Sequence, residues 1–263
     1  MASNNKKLTA SELGISRPLI YYEHKQDKRD QATKIMIEEA LRKHPSYGHK
    51  RLATHLHINK KRIRRVMKKY DIKPYRRRGK KWIKTTATGL DYPNLVKEIT
   101  PLHPGHIWAS DFTYLWYEGA WLYVATVIDI YTREIVGLAV GRRHDRWLVT
   151  QALLDALRYH PRPLIIHSDH GSEYKSRDYQ ILLTELGILC SMAEKGCPWE
   201  NGYQESFYSQ FKIDLGDPAC FSSLGEFTVG IYRQIWYYNT ERIHTSLKMS
   251  PLQFVKREKV EYY

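Results

Sequence analysis

Three consecutive stretches of sequence decide the fold: IWASDFTYLWY at residues 107–117, WLYVATVIDI at 121–130 and EIVGLAVG at 134–141. All three are rich in the β-branched and aromatic residues that favour extended strands. Turn-forming residues separate them, namely Glu118-Gly119 and Tyr131-Thr132-Arg133. Because both connections are short, the three strands are predicted to form an antiparallel meander.

After the third strand the pattern changes to alternating helices and strands. Apolar residues at helical spacing and short apolar runs predict these elements. They are a helix at 147–159, a strand at 164–167, a helix at 179–186, a strand at 188–191, and two longer helices at 201–215 and 223–241. Strands followed by such an alternation are typical of a mixed α/β sheet flanked by helices.

Three carboxylates fall on three different predicted elements. Asp111 lies within the first strand, Asp169 directly follows the fourth, and Glu205 lies in the first turns of the helix at 201–215. If the first and fourth strands are neighbours, these side chains converge at one edge of the sheet. Oxygen ligands suit Mg²⁺, and two such ions about 4 Å apart catalyse in-line phosphoryl displacement without a covalent protein nucleophile. A purely structural role is disfavoured, since without a metal the like charges repel.

Three other acids compete for this assignment. Asp129 ends the second strand, one hairpin away from Asp111, and we expect it to pair with Arg133 or to cap the turn. Glu173 and Glu200 flank the other two positions, and we expect them to face DNA or solvent.

All of the excess positive charge lies in the first hundred residues. The formal net charge is +14, and residues 1–99 hold 26 Lys or Arg against 9 Asp or Glu, whereas the remainder holds 16 against 19. A phosphate backbone selects such an asymmetry, because each neutralised phosphate releases counterions. The slightly acidic remainder argues against a general solubility device. The front region is therefore predicted to bind nucleic acid.

Helical patterns fill this basic region. The stretch Thr9 to Glu12 resembles a capping box, and a turn at Gly14 followed by a short helix makes a helix-turn-helix candidate. An apolar stripe predicts further helices around 32–41 and 52–56. Asn59 is placed to cap another helix whose solvent face is almost entirely cationic. We interpret that helix as lying in or across a DNA groove.

Candidate DNA contacts follow from this interpretation. The segment RRRGKK at 76–81 is either an extended arm, which could enter a minor groove, or a disordered basic linker. Phosphate contacts position a protein without reading bases, so no target sequence follows. The residues predicted to touch DNA here are Lys50, Arg51, Lys61, Arg62, Arg64, Arg65, Arg76, Arg77 and Arg78.

Other classes of site and protein are disfavoured. Five histidines lie in the front region, but no cysteine precedes Cys190 to complete a His/Cys zinc site. The 3 cysteines are too few and too irregular for a disulfide framework. No apolar run approaches the ~20 residues that span a bilayer, and the start lacks a hydrophobic signal segment, so we expect a cytoplasmic protein.

Prolines and a falling charge density mark a linker between two units. Pro93, Pro101 and Pro104 interrupt any long helix in this stretch. We expect a helical DNA-binding region at 1–81, a linker at 82–104 and a catalytic core at 105–263.

The motifs around the three acids are similar to the integrase core of bacterial insertion-sequence transposases. They read WASDFT at 108–113, HSDHGSEY at 167–174 and NGYQESF at 201–207, with thirty-five residues between Asp169 and Glu205. The stretch YNTERIHTSL at 238–247 resembles the closing segment of that family. YGHKR at 47–51 and the basic helix after it resemble the helix-turn-helix of its second-reading-frame proteins. The resemblance covers roughly residue 30 to the end.

This resemblance implies a ribonuclease-H-like fold related to retroviral integrases. It implies that Asp111, Asp169 and Glu205 are the catalytic residues and hold two Mg²⁺ ions, for which Mn²⁺ is expected to substitute. The enzyme would nick DNA at the 3′ end of the element, and the freed 3′ hydroxyl would attack another phosphodiester. Lys212, two turns after Glu205 and on nearly the same helix face, is implied to hold the transposon-end DNA.

The implied partners are double-stranded DNA, as terminal inverted repeats and target, and further copies of the chain in a dimer or higher assembly. Many relatives act as a fusion with an upstream frame that carries a leucine zipper. No heptad zipper is visible in residues 1–45, so the chain is either the downstream product or a shorter enzyme. A structure-specific nuclease of the same fold and a DNA-binding regulator remain alternatives. A retroviral-type integrase would carry a His-His-Cys-Cys zinc module, which the absence of cysteines before Cys190 disfavours.

Overall fold

A computed structural model of the chain describes residues 25–75, 92–97, 99–194 and 201–258, with the isolated positions 12, 14 and 16. Several predicted features lie outside the described residues: the capping box from Thr9, the short helix after Gly14, the basic arm with Arg76, Arg77 and Arg78, and the acid Glu200. Within the described ranges, no helix is long and apolar enough to cross a membrane.

Three helices form the described front region: α1 (Lys25–Lys43), α2 (His49–His55) and α3 (Lys60–Lys69). As predicted, the Asn59 side chain caps α3 by accepting a hydrogen bond from the Lys61 backbone N at 2.8 Å. Apolar side chains from all three helices make a small core of their own. Ile243, from the C-terminal part of the chain, packs against this core, so the helical region lies directly on the second half.

Buried polar contacts hold this junction together. His44 Nδ1 and the Tyr237 hydroxyl lie 2.5 Å apart. The Arg242 guanidinium donates to Asp214 Oδ2 at 2.7 Å and to Ser46 Oγ at 3.1 Å. Both members of the Arg242–Asp214 ion pair have side chains that are only 2% exposed. A buried charge is tolerated only when it is paired and hydrogen-bonded, so the contact of Arg242 with Ser46 of the front region depends on the pair with Asp214.

A five-stranded mixed sheet forms the centre of the second half. Its strands are β1 (Ile107–Tyr117), β2 (Ala120–Asp129), β3 (Ile135–Gly141), β4 (Ile165–Ser168) and β5 (Leu189–Met192). Their order is β3-β2-β1-β4-β5. β1 to β3 are antiparallel, whereas β4 pairs in parallel with both β1 and β5. The predicted meander and the predicted neighbourhood of the first and fourth strands are both confirmed.

Helices cover the two faces of the sheet. α4 (Arg146–Tyr159) and α5 (Arg177–Glu185) pack on one face, and α6 (Gly202–Leu215) and α7 (Leu224–Thr240) pack on the other. Side chains alternate along each strand, so Trp108 of β1 faces the first pair while Ile107 and Ala109 face the second. A short helix, α8 (Pro251–Glu258), follows. The predicted α/β sandwich of a mixed sheet between helices is the observed one.

One glycine lets α4 approach the sheet closely. A Cβ atom at Gly137 of β3 would overlap the carbonyl oxygen of Ala152 and would lie 2.8 Å from the Cβ of Ala156. The two alanines are one helical turn apart and face the strand. The small side chains on both elements therefore set the distance between α4 and the sheet.

The described part of the predicted linker lies against the catalytic half. The backbone N of Leu95 donates to Ser191 Oγ at 2.9 Å. The backbone N of Met192 donates to the carbonyl oxygen of Pro93 at 3.2 Å. Residues 92–96 thus run beside β5, which is the outer strand on that side of the sheet.

Candidate active site

Two of the predicted acids lie on adjacent strands, Asp111 within β1 and Asp169 directly after the end of β4. In the parallel pairing of β1 with β4, Ala109 is in register with His167, and Asp111 and Asp169 each follow two residues later. Asp111 Oδ1 accepts a hydrogen bond from the Phe112 backbone N at 2.8 Å. Asp169 Oδ1 accepts one from the Gly171 backbone N at 2.9 Å. The strand pairing therefore brings these two carboxylates together, as the sequence predicts.

The third acid, Glu205, is carried by the first turn of α6. The residue before it anchors the helix: the buried Gln204 amide nitrogen donates to the carbonyl oxygens of Ala109 at 2.6 Å and Thr126 at 3.1 Å. One turn later, the Tyr208 hydroxyl donates to the carbonyl oxygen of Asp111 at 2.6 Å. These bonds fix the start of α6 beside the part of β1 that carries Asp111.

The charges of Asp169 and Glu205 both act on the buried Asp111. Burial raises the pKa of Asp111 well above its ordinary value, and the negative charge of Asp169 raises it further. Glu205 adds to this effect, while the Phe112 hydrogen bond and the positive charge of Lys212 oppose it. Burial likewise raises the pKa of Asp169 and the pKa of Glu205. The ionised form of Asp111 is therefore disfavoured by its surroundings, and a bound cation would stabilise it.

The chemistry of this cluster fits a hard divalent cation. Its donors are carboxylate oxygens, which Mg²⁺ and Mn²⁺ prefer. In the described ranges, no group of three or more His, Cys, Asp or Glu side chains is arranged as a ready-made metal cage. What favours a cation here is negative charge: Asp169 and Glu205 both raise the pKa of the buried Asp111.

Lys212 lies near the same acids. Its charge lowers the pKa of Asp111, and its Nζ lies over the ring of Tyr114 at 5.1 Å from the ring centre. Tyr114 is on β1 and is 47% exposed. A cation and an exposed aromatic ring therefore flank the acids on the side of α6.

The rival acid Asp129 has a structural role, which confirms the turn-capping prediction. Its Oδ1 accepts hydrogen bonds from the backbone N atoms of Tyr131 at 2.8 Å and Thr132 at 2.9 Å. Its Oδ2 accepts from the Gly105 backbone N at 2.6 Å and from Trp108 Nε1 at 3.2 Å. All of these donors belong to the protein, so the carboxylate is fully used in holding the β2–β3 turn.

Glu173 is buried and lies beside Asp169, whose pKa its charge raises. Its Oε1 lies 3.0 Å from His144 Nδ1. The expectation that Glu173 faces DNA or solvent is not what the structure shows, because its side chain is only 8% exposed and has a protein partner.

The cations of α3 divide into two groups that the sequence does not separate. Arg65 donates to both carboxylate oxygens of Asp30 on α1, at 2.8 and 2.7 Å. Arg62 donates to the carbonyl oxygen of Arg29 at 2.9 Å. Lys61 and Arg64 are exposed, and the paired Arg65 side chain is also 45% exposed. The cationic helix is thus partly neutralised from within the protein.

The two candidates on α2 also differ. Lys50 is exposed. Arg51 is half-buried and donates to Gln210 Oε1 of α6 at 3.2 Å, and burial lowers its pKa to about 10, with the charge of Arg242 contributing. Arg51 therefore faces the catalytic half rather than open solvent.

Two functional side chains carry no prediction from the sequence, namely Gln204 and Tyr208. Both lie within or next to the quoted motif at 201–207, and their spacing of four residues places them on one helix face. That spacing is the sequence signal from which their shared role could have been predicted. Their partners are main-chain carbonyl groups of β1 and β2, which only the folded sheet brings into reach.

The fold of the second half is that of an integrase catalytic core. Two family models, both described as "Integrase core domain", match residues 101–198 and 186–251. The chain is 34% identical over 257 residues to the "Transposase for insertion sequence element IS904" of Lactococcus lactis, covering 89% of this chain and 98% of the relative. It is 33% identical to the "Insertion element IS600 uncharacterized 31 kDa protein" of Shigella sonnei, covering 94% of this chain and 96% of that one. The chain therefore belongs to the family of bacterial insertion-sequence transposases with an integrase-like core, which are polynucleotidyl transferases of the DDE type.

Solved structures show the same fold. The simian T-cell lymphotropic virus intasome, determined in complex with the PP2A regulatory subunit B56 gamma, aligns with a TM-score of 0.54 at 18% identity and covers 79% of this chain and 74% of that chain. The HTLV-2 integrase catalytic core domain in complex with magnesium aligns with a TM-score of 0.50 at 19% identity, over 59% of this chain and 99% of that one. The predicted ribonuclease-H-like core preceded by a helical region is thereby confirmed.

Proposed function

We propose that the protein cleaves DNA at the ends of an insertion sequence in a Mg²⁺-dependent reaction and joins the freed 3′ hydroxyl to another phosphodiester. The observation that supports this proposal best is the field at Asp111: a buried carboxylate whose pKa is raised by burial and by two further acids on separate elements. Such a cluster is costly unless a cation binds to it.

In this proposal Asp111, Asp169 and Glu205 would hold the cations. When bound, two divalent cations lower the pKa of an attacking hydroxyl group and stabilise the leaving oxygen of an in-line displacement. Gln204 and Tyr208 keep α6 in place and so position Glu205 relative to β1. Lys212, beside the acids, would hold a phosphate of the transposon end, and Tyr114 orients its ammonium group.

The same proposal assigns DNA binding to the front helices. Lys50, Lys61 and Arg64 are exposed, and in this proposal they contact the phosphate backbone. Arg62 and Arg65 are already engaged by partners on α1, although the Arg65 side chain is still 45% exposed. We further propose that two or more copies assemble on the paired ends of the element and on target DNA. We also propose that the chain is divided into two units, the basic front region and a core that begins at about residue 105.

The test uses labelled duplexes of the terminal repeat with Mg²⁺ or Mn²⁺. Asp111→Asn, Asp169→Asn and Glu205→Gln each remove one charge with little change in shape. Each is expected to lower the cleavage rate at least about 100-fold, because a bound metal stabilises transition-state charge by several kcal/mol. Asp178→Asn is the matched control, since Asp178 lies on the exposed surface of α5 in an ion pair with Arg146.

Joining is measured separately with a donor duplex that already ends in a 3′ hydroxyl. A joined product with the wild-type chain supports a transposase. Cleavage without any joined product would favour a structure-specific nuclease of the same fold. Undiminished cleavage by Glu205→Gln would refute the assignment of the three acids, and metal-independent DNA binding with no cleavage at all would favour a regulator.

A further inference from the structure

A cleft on another side of α6 is not used by the mechanism above. It has a volume of about 430 Å³ and is open to solvent on one side. Its walls come from α6, the β2–β3 turn, the segment after α7 and the front helix α2. The polar side chains that line it are Arg51, Arg133, Arg242, Gln210, His244, Ser206 and Ser246.

Three guanidinium groups from three separate parts of the chain meet in this cleft, and one acid offsets them. Arg242 is paired with Asp214 at 2.7 Å and also donates to Gln210 Oε1 at 2.8 Å. Arg51 shares that same amide oxygen. The cleft therefore has an excess of positive charge as well as more donors than acceptors.

Arg133 is the least satisfied of the three. Its guanidinium stacks on the ring of Tyr203, 4.1 Å from the ring centre. Its Nε and Nη1 atoms are buried and have no hydrogen-bond partner in the described parts of the chain, and the same is true of Arg51 Nε. A buried donor without an acceptor costs about 1–3 kcal/mol. An acceptor from outside the chain would remove that cost.

The titration of a neighbouring group supports a shared positive field. Burial lowers the pKa of His244 to about 4, and the charges of Arg133, Arg51 and Arg242 all lower it further. His244 Nδ1 lies 2.9 Å from Ser246 Oγ. A neutral imidazole and two hydroxyl groups thus complete a lining that contains donors of the kind that bind oxyanions.

We propose that this cleft binds a phosphate group of the DNA backbone, with Arg133 and Arg51 as the principal donors. Guanidinium groups present a planar fork of N–H donors that matches phosphate oxygens. The open side admits a continuous backbone, and the cleft lies on the flank of α6 next to the one that carries Glu205. This inference rests on the proposed function, because DNA is the substrate that supplies the phosphate.

The site also requires both halves of the protein. Arg51 lies on α2 of the front region, whereas Arg133 and Arg242 belong to the catalytic half. A phosphate held between them would contact both units at once. DNA bound here would consequently stabilise the docking of the front helices on the core.

The first experiment measures the affinity of the full-length chain for a terminal-repeat duplex in EDTA, between about 0.05 and 0.2 M salt. Arg133→Gln is expected to weaken binding about tenfold and to reduce the slope of log K against log salt by about 1. Arg133→Lys keeps the charge and should retain the slope while losing affinity. Arg158→Gln, on the exposed surface of α4, removes the same charge elsewhere and should change affinity less than about twofold. Thermal unfolding of each variant checks that it is folded.

The second experiment replaces single backbone phosphates of the duplex with neutral methylphosphonates. One position is expected to weaken wild-type binding about tenfold and to have no effect on Arg133→Gln, because the two changes remove the same contact. The proposal would be overturned if the methylphosphonate at every position weakened wild-type and Arg133→Gln binding equally. An unchanged salt slope for Arg133→Gln would overturn it as well.

Other occupants give different results. Inorganic phosphate that binds in an Arg133-dependent way, without any effect of Arg133→Gln on duplex affinity, would indicate a small-anion site and overturn the DNA assignment. Arg133-dependent binding of an oligoglutamate peptide with no methylphosphonate effect would indicate an acidic protein partner and would also overturn it. Because all binding is measured without metal, failure of the proposed cleavage reaction would leave these results unchanged and separately readable.

Discussion

The buried ion pair between Arg242 and Asp214 ties the segment after α7 to α6, and Arg242 also donates to Ser46 of the front region. Asp214→Asn keeps the shape of the side chain and removes only its charge. It leaves Arg242, 2% exposed, without a counter-charge and next to Arg51. Removing one partner of a buried pair costs about 3–5 kcal/mol, because the remaining charge stays desolvated.

This cost can be converted into a measurable shift. For a chain of this size, each kcal/mol changes the thermal midpoint by roughly 2–4 °C, so we expect Asp214→Asn to lower it by roughly 6–20 °C. The matched control is again Asp178→Asn, whose partner Arg146 is exposed. An exposed pair contributes about 0–1 kcal/mol. Differential scanning calorimetry and urea unfolding followed by tryptophan fluorescence measure both variants under the same conditions.

A double variant distinguishes the contribution of the ion pair from the contributions of its two residues. Arg242→Met and Asp214→Asn combined should cost clearly less than the sum of the two single changes, because neither charge is then left alone. A loss below about 1 kcal/mol for Asp214→Asn would refute the argument, since it would mean that solvent reaches Arg242. Strict additivity in the double variant would refute it as well.

Three further predictions concern the acids, the junction and the turn at Asp169. Asp111→Asn should raise the thermal midpoint of the metal-free protein while abolishing cleavage: the folded-state pKa of Asp111 is raised, so its carboxylate destabilises the fold increasingly as the pH rises above the unfolded-state pKa. A midpoint that falls instead would contradict the repulsion argument. The pKa of His44 is lowered to about 4, mainly by burial. Protonation of this ring therefore favours the unfolded chain, and the protein loses stability as the pH falls from about 6.5 towards 4. His44→Gln should flatten this part of the pH–stability curve, with the exposed His103→Gln as control, and an unchanged curve would count against a buried neutral His44. Gly171→Ala places a Cβ 3.0 Å from Asp169 Oδ1 and 2.8 Å from Glu173 Oε2, so it should reduce Mg²⁺-dependent cleavage about tenfold or more with a small change in stability. Equal losses of activity and of folded protein would show that the change acts on folding.

The positions of the strands and of the acids could be predicted from the sequence. β1 was predicted with its observed ends because a run of β-branched and aromatic residues stops at Glu118-Gly119. The meeting of Asp111 and Asp169 follows from two local facts, one acid in the first strand and one just after the fourth, once those strands are neighbours. The sequence also separates Asp129 from the other acids, since it sits at a turn whose backbone N–H groups need an acceptor.

What the sequence could not supply is the set of partners that come from distant segments. The cationic residues of α3 cannot be told apart in the sequence, and only the position of α1 in the fold pairs Arg65 with Asp30. The sequence likewise does not distinguish Arg51 from the exposed cations, although Arg51 faces α6 and lines the cleft there. Gln204 and Tyr208 likewise find their acceptors on strands about 80 to 100 residues away in the chain.

The short run at residues 92–96, which lies beside β5, has a further consequence for the behaviour of the protein in solution. An open outer strand presents unpaired N–H and C=O groups that invite the strand of another molecule. The bond from the Met192 backbone N to Pro93 occupies one of those donors, and proline has no N–H group with which to continue the pairing outward. The segment at residues 92–96 therefore protects that edge of the sheet against pairing with a strand of another molecule.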